Sequence, residues 1–286
     1  MKLTNCNAII TGANQGLGLA IAEAFVKEGA SLSLCARNEK KLTAAVAHLR
    51  ALAQDKQKII CRAVDVADEH AVQQFIDYSI RELGIIRIMV NNAGICGPKG
   101  KLDINNSEEW KQTIVTNLFG TMYFCKHILP HMQANKYGKI INIAGGGPGA
   151  LPTMSAYVTS KAGVIRLTET LAKEYAPFHI DINAIAPGAL NTRFLEEVLE
   201  AGPEFVDKAF YEKSVRQKKE GGVPLEKGAA LCVYLASEES NGVSGKLISA
   251  VWDKWGEFQT HINDLQSTDV YTLRRIMPKE RGLHWR

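Results

Sequence analysis

The chain has no run of apolar residues approaching the roughly 18–20 that a bilayer-spanning helix needs, so a membrane protein is not expected. Its six cysteines, Cys6, Cys35, Cys61, Cys96, Cys125 and Cys232, lie far apart and show no C-x-x-C spacing. That scatter argues against a zinc site or a disulfide framework and for a reducing compartment; no metal is expected. Charge of one sign is also missing as a block. Lys and Arg exceed Asp and Glu by 34 to 30, and the net +4 is spread along 286 residues without a dense basic run, so nucleic acid is not an expected partner. There are no repeats or low-complexity tracts. The first strand-like run starts at Asn7, leaving no room ahead of it for a signal peptide, which sets the expectation of a cytoplasmic protein. What is present is ordinary for a globular domain: 46% hydrophobic and 22% charged residues supply a sizeable core and exclude disorder as the main state.

Short apolar runs alternate with longer amphipathic ones. Residues 7–12, 31–36, 59–66, 86–90, 139–144, 181–186 and 246–251 read as strands. Residues 17–28, 39–53, 68–83, 107 to about 135, 155–175 and 225–236 read as helices, with Asp68 an N-cap candidate. Residues 189–222 read as an irregular charged segment. Strands alternating with helices imply right-handed crossovers and a parallel sheet covered on both faces. The expectation is one α/β domain over residues 1–250, a doubly wound sheet of about seven strands, followed by an extension over 251–286.

The first strand–turn–helix carries Thr11-Gly12-Ala13-Asn14-Gln15-Gly16-Leu17-Gly18. Gly12 permits a sharp turn, Gly16 lets backbone approach a pyrophosphate, and Gly18 allows close packing of helix on sheet. The free N–H groups and positive end of the helix that follows suit an anion. About twenty residues on, an NAD site places a carboxylate for the ribose 2′-hydroxyl. Here the strand ends Cys35-Ala36-Arg37-Asn38 with no acid, and Arg37 can pair with a 2′-phosphate instead. NADP (NADPH) is the expected cofactor, with NAD second; Asn14 and Gln15 in the loop add no further positive charge.

Tyr157 and Lys161 stand four apart at the start of a helix and therefore on one face. A phenol normally ionises near pH 10, and a neighbouring ammonium favours the phenolate. Such a pair can protonate an alkoxide as hydride arrives or deprotonate an alcohol as hydride leaves.

With these residues in place the chain resembles the short-chain dehydrogenase/reductase family over roughly residues 5–250, and within it members of the 3-oxoacyl carrier-protein reductase kind. The resemblance rests on Thr11–Gly18, Asp65-Val66, Asn91-Asn92-Ala93-Gly94, Asn117, Tyr157 with Lys161, and Pro187-Gly188 with Thr192, in that order. It implies a Rossmann-type sheet, Asp65 near the adenine, Asn92, Ala93 and Gly94 along the cofactor cleft, and Thr192 on the nicotinamide carboxamide. It further implies that Lys161 holds the nicotinamide ribose and that Asn117 anchors a water linking Lys161 to solvent. Asn91 and Asn92 serving only the sheet edge, and Asn117 only a helix kink, are the structural alternatives. The implied activity is interconversion of a small-molecule carbonyl and a secondary alcohol, in a homo-oligomer (dimer or tetramer). A reductase or dehydrogenase of a nucleotide-linked or phosphorylated sugar is a second possibility, and an NADP-binding scaffold or sensor without turnover a third.

Two departures stand out. Members of the family carry a serine after the fifth strand that hydrogen-bonds the substrate oxygen; here the positions open to it are Ala144 and Gly145, in the run Ala144-Gly145-Gly146-Gly147-Pro148. Loss of one such donor typically costs about 10²–10³ in rate. Thr153 or Ser155 could supply the hydroxyl; backbone N–H groups around Gly145 and Gly146, or a water, could replace it; or the chemistry is impaired. The second departure is the end of the chain, which continues past the last strand with Trp252, Trp255, Tyr271 and Trp285 among basic residues. Large aromatics seldom stay solvated, so this extension is expected to fold over the cleft or onto a neighbouring subunit, where it could displace a last-strand tetramer contact. Residues 189–222 occupy the place of the substrate lid; Phe194, Phe205, Phe210 and Tyr211 in it read as lid packing, and its cluster at Arg216–Lys219 as a solvated helix end.

Overall fold

The computed structural model describes residues 1–146 and 149–284; Gly147, Pro148 and Trp285 of the runs singled out above lie outside the described residues. Seven strands form one parallel sheet in the order β3-β2-β1-β4-β5-β6-β7. They are β1 Asn7–Thr11, β2 Ser31–Ala36, β3 Ile59–Ala63, β4 Ile88–Asn91, β5 Gly138–Ile143, β6 Ile180–Ala186 and β7 Leu247–Ser249. Alternate side chains of each strand enter opposite layers. In β1, Ala8 and Ile10 pack with α1 (Gly16–Lys27), α2 (Glu39–Leu52) and α9 (Leu225–Ala236). Ile9 enters the other layer, built by α3 (Glu69–Leu83) and α5 (Gly120–Ala134), with the end of α6 (Ser155–Tyr175). Burial on both faces explains why the central strands β1, β4, β5 and β6 are apolar runs.

The caps follow local chemistry. The Asp68 carboxylate accepts the N–H groups of His70 and Ala71, and Asn38 and Asn106 do the same work at α2 and at α4 (Ser107–Ile114). The sheet order reverses between β1 and β4, which opens a crevice at the carboxyl ends of those strands.

Four expectations are corrected. Residues 189–222 are not irregular: they form α7 (Arg193–Ala201) and α8 (Lys208–Glu220), broken at Gly202 and Pro203. Leu195 and Val198 are the buried residues of α7, with Phe194 and Ala201 half-buried beside them, and Asp207 caps α8; the charged residues between hide both helices in the sequence. The strand expected over 59–66 ends at Ala63, because its single partner β2 ends opposite at Ala36; an Asp65 turn follows, its carboxylate accepting the Ala67 N–H. The long helix from Ser107 is interrupted by a π-turn at Val115–Phe119, between α4 and α5. The last strand stops at Ser249, whose N–H donates to Asp253 Oδ2 at 2.6 Å while its hydroxyl accepts the N–H groups of Val251 and Trp252.

That tight turn leaves Trp252 84% exposed, against the expectation that tail aromatics fold back. Other tail residues do pack. Trp255 lies on Tyr234 and Phe258 on Tyr271, each with ring centroids 5.4 Å apart. The chain then runs along the free edge of β7. The Leu247 N–H donates to the Tyr271 carbonyl at 2.8 Å, and Lys246 Nζ donates to the carbonyls of Thr268 and Val270. Leu273 reaches Ala144, Val164, Ile165 and Ala184; its N–H donates to Glu169 Oε1 at 2.6 Å and its carbonyl accepts from Arg166.

Candidate active site

The glycine loop is bolted to the end of β4. Thr11 Oγ1 accepts the N–H groups of Asn92 (3.0 Å) and Ala93 (2.9 Å), and the Asn92 amide donates to the carbonyls of Thr11 and Gly12. Gly18 sits against the Gly12 carbonyl, where no Cβ fits. Gly16 has φ +56°, a left-handed conformation that glycine adopts without strain, and Thr192 stands over it: a Cβ at Gly16 would lie 3.5 Å from the threonine methyl. No side chain caps α1, whose N-cap is Gln15, so the first-turn N–H groups at Gly16, Leu17 and Gly18 keep their free direction. An uncapped helix start behind a tight loop fits the pyrophosphate of a dinucleotide.

At the adenosine end, Arg37 is exposed just after β2, and Asp65 is exposed after β3 with Val66 buried beneath it. Lys41, in the first turn of α2, donates from Nζ to Gln15 Oε1 at 3.0 Å. A second cation therefore does reach the glycine loop, although from another element. The sequence offered one signal for it, a lysine in the first turn after the strand that carries Arg37; the contact across to Gln15 is tertiary.

At the other end of the crevice, α6 brings Tyr157 and Lys161 to the carboxyl end of β5. Tyr157 Oη donates to the Gly145 carbonyl at 3.0 Å, and Lys161 Nζ donates to the Ile143 carbonyl at 2.7 Å. The ammonium lies 6.0 Å from the phenol ring centroid. Burial pushes the phenol up from its ordinary value, with the nearby Cys96 thiol adding to the effect, and burial pulls Lys161 down to about 8. The expectation that the ammonium would make the phenol more acidic is not met in this arrangement: desolvation is the larger effect, and it favours the protonated phenol.

Asn117 occupies the π-turn, a distortion that recurs at functional sites. Its amide accepts the Ile95 N–H (2.8 Å) and donates to the Ile95 carbonyl (2.9 Å) and to Ser160 Oγ (3.0 Å). Gly94 lies between Asn117 and Lys161; a Cβ there would stand 3.1 Å from Asn117 Oδ1 and 3.5 Å from Lys161 Nζ. Pro187 sits beside Gly145, and Gly188, at φ +98°, is hemmed in by Val223 and Val251. Gly146, at φ +87°, lies against the Tyr157 ring, 2.9 Å from where its Cβ would be.

The two hydroxyls considered as substitutes for the serine differ in what they have left to give. Thr153 Oγ1 accepts the Asp207 N–H at 2.9 Å and donates its own proton to the Pro152 carbonyl, so it tethers the lid. Ser155 Oγ accepts the Trp110 indole N–H at 3.1 Å, a contact that fixes the side chain and leaves its O–H proton to donate. Phe194 packs on Tyr157, ring centroids 4.9 Å apart and planes inclined at 51°, so this lid aromatic lies against the candidate acid/base itself. Among the described residues, no three His, Cys, Asp or Glu side chains gather to hold a metal ion, all six cysteines are free thiols, and no helix is long and apolar enough to cross a membrane.

Comparison with known proteins decides the family. Residues 6–202 match the family described as short chain dehydrogenase. The chain belongs to that family. A putative ketoacyl reductase of granaticin polyketide synthesis from Streptomyces violaceoruber is 34% identical over 253 residues, covering 85% of this chain and 90% of the relative. Levodione reductase superposes with a TM-score of 0.80 at 29% identity, over 90% of this chain and 99% of that one. An NAD⁺-bound xylitol dehydrogenase gives the same TM-score at 28% identity, over 87% and 98%. This short-chain dehydrogenase is accordingly an oxidoreductase of the carbonyl/alcohol type, with a single seven-stranded Rossmann-like sheet for a nicotinamide dinucleotide.

Proposed function

We propose that the chain is an NADP-dependent oxidoreductase that interconverts a small-molecule carbonyl and a secondary alcohol, with Tyr157 as the acid/base. The observation that carries the reading is the convergence of Tyr157, Lys161 and Asn117 on the mouth of β5 and β4: Oη at the Gly145 carbonyl, Nζ at the Ile143 carbonyl, and Asn117 across Gly94 from Lys161. A bound nicotinamide supplies the hydride and takes it back. Tyr157 gives its phenolic proton to the substrate oxygen during reduction and recovers it during oxidation. Lys161 anchors the ribose and returns positive charge to the phenol, and Asn117 holds the proton path beside it. Gly12, Asn14, Gln15, Gly16, Leu17 and Gly18 cradle the pyrophosphate; Asp65 and Val66 border the adenine; Asn92, Ala93, Gly94, Pro187, Gly188 and Thr192 line the nicotinamide half. Gly145 and Gly146 offer backbone where the family's serine hydroxyl stands. The assembly proposed is a cytoplasmic homo-oligomer.

Support for NADP over NAD is the absence of a carboxylate at the end of β2, which reads Cys35-Ala36-Arg37-Asn38, together with two cations at the same corner, Arg37 and Lys41. Dissociation constants for NADPH and NADH test it: Arg37→Ala and Lys41→Ala each should weaken NADPH by about tenfold, a 1.4 kcal/mol effect, and leave NADH unchanged. Equal loss for both nucleotides would overturn the NADP reading. For the chemistry, NADPH consumption over a carbonyl panel should fall by about 10²-fold or more in Tyr157→Phe, with NADPH affinity kept. The scaffold reading draws on Ala144 and Gly145 standing where the family carries its serine; tight NADPH binding with no turnover on any carbonyl would favour it.

A further inference from the structure

The packing that joins α7 to Tyr157 is hydrocarbon, and it is what a substrate approaching the phenol from that side has to displace. Cys96, Met154, Val198 and Val206 are buried in one cluster, with Leu151 and Phe194 packed against it. The Phe194 ring, carried by the first turn of α7, lies on the Tyr157 ring, and Gly146 presses on that ring as well. A carbonyl oxygen that receives the Tyr157 proton must reach a phenol now covered by this ring, so α7 must yield Phe194's place to the substrate.

Polar groups that would welcome a polyol or a phosphate are few there. Thr153 Oγ1 accepts from Asp207 and donates to Pro152, and Ser155 Oγ accepts from Trp110, which leaves one hydroxyl proton, enough for a single carbonyl oxygen and not for a polyol. Lys99 and Arg193, the cations flanking α7, share the Glu197 carboxylate at 3.4 Å and 2.7 Å. A ligand rich in hydroxyls would leave its own donors unpaired against this packing, and each unmade hydrogen bond weakens binding about tenfold. A hydrocarbon body gains from leaving water.

We propose that the substrate is an apolar carbonyl compound, alicyclic or aromatic, whose ring takes the place of the Phe194 side chain over Tyr157. Phe194 is then a specificity gate: it completes the apolar packing when the site is empty and swings out with α7 when the substrate enters. The inference rests on the reading of Tyr157 as the acid/base, because that residue fixes where the carbonyl must sit.

The test has a kinetic and a binding arm. In the first, NADPH consumption is measured with cyclohexanone, acetophenone and 2-tetralone against fructose and dihydroxyacetone phosphate. The apolar ketones should lead in kcat/KM by roughly 100-fold. In the second, the same probes are titrated into NADP⁺-loaded protein by calorimetry; 2-tetralone should bind with a negative heat-capacity change and the phosphate should not bind. Phe194→Ala should lower KM for 2-tetralone relative to cyclohexanone, and Phe194→Leu, which keeps more of the packing, should move the same way to a smaller extent. Faster turnover or tighter binding of fructose or dihydroxyacetone phosphate overturns the substrate class, as does a 2-tetralone affinity untouched by both Phe194 variants. Binding of 2-tetralone that responds to Phe194, without turnover of any carbonyl, keeps the substrate class and instead overturns Tyr157 as acid/base.

Discussion

At the scale of single residues, the site joins two ionisable groups that burial pushes in opposite directions along the pH scale, because it disfavours the charge on each. Lys161 is pulled down to about 8, so between about pH 8 and the unfolded lysine value near 10.4 the unfolded chain binds more protons than the folded one, and stability rises with pH. Tyr157 is pushed up; above about pH 10 the unfolded phenol ionises while the folded one keeps its proton, and stability falls as pH rises further. Denaturant unfolding of the cofactor-free protein across pH 7–11 checks both signs. Relative to Lys161→Met, the wild type should gain on the order of 2 kcal/mol between about pH 8 and 10. Relative to Tyr157→Phe, it should lose stability above about pH 10. A pH-independent difference in both comparisons would mean that neither group is buried in solution. The sequence singled out these two residues by their spacing together with their place just after the fifth strand. Their charge states were not legible there, since desolvation depends on Phe194 and Cys96, which reach the phenol only through the fold.

Among elements, the contrast between sheet and lid shows what the sequence can display. The central strands β1, β4, β5 and β6 are buried on both faces and read as apolar runs; Asp68 marked the start of α3 by a cap that needs no tertiary contact. Helices α7 and α8 were hidden because only a narrow stripe of each touches the body of the protein, and the π-turn at Asn117 was hidden because its cause is a side chain bonding to Ile95, 22 residues away. Lys41 escaped for the same reason, its contact with Gln15 crossing between α2 and the glycine loop. The segment between β5 and α6 that tethers the lid stores strain. Thr153 has φ +67°, where a β-branched residue costs about 1–3 kcal/mol, and it holds that conformation while its hydroxyl accepts from Asp207 and its carbonyl from Gly100. Thr153→Val removes the hydroxyl acceptor and should speed hydrogen exchange at the Asp207 amide about tenfold or more while the sheet amides keep their rates. Thr153→Ser should restore protection at Asp207. Unchanged exchange in the valine variant would show that α8 is held by its apolar contacts alone.

For the molecule as a whole, the last 30-odd residues close the sheet. An unpaired edge strand invites pairing with another chain, and here the backbone from Thr268 to Tyr271 meets the β7 edge through Leu247 and Lys246. Leu273 then plugs the space between α6 and β6 beside Ala144. Leu273→Ala should destabilise the protein by about 2 kcal/mol, seen as a fall in Tm of roughly 4–8 °C. Deleting residues 268–286 should in addition raise the mass measured by light scattering at high concentration, through the bared edge; an unchanged Tm and mass in these variants would show the extension to be a passenger. That aromatics would anchor an extension was legible from the sequence, but which ones was not. Trp255 and Phe258 pack, whereas the turn built by Ser249 and Asp253 holds Trp252 out in water. The grip on Leu273 has a practical consequence. Arg166 and Glu169 belong to the same helix as Tyr157 and Lys161, so clipping by a carboxypeptidase, or a purification handle fused at that terminus, would tug on α6 itself, and any handle belongs at the opposite terminus.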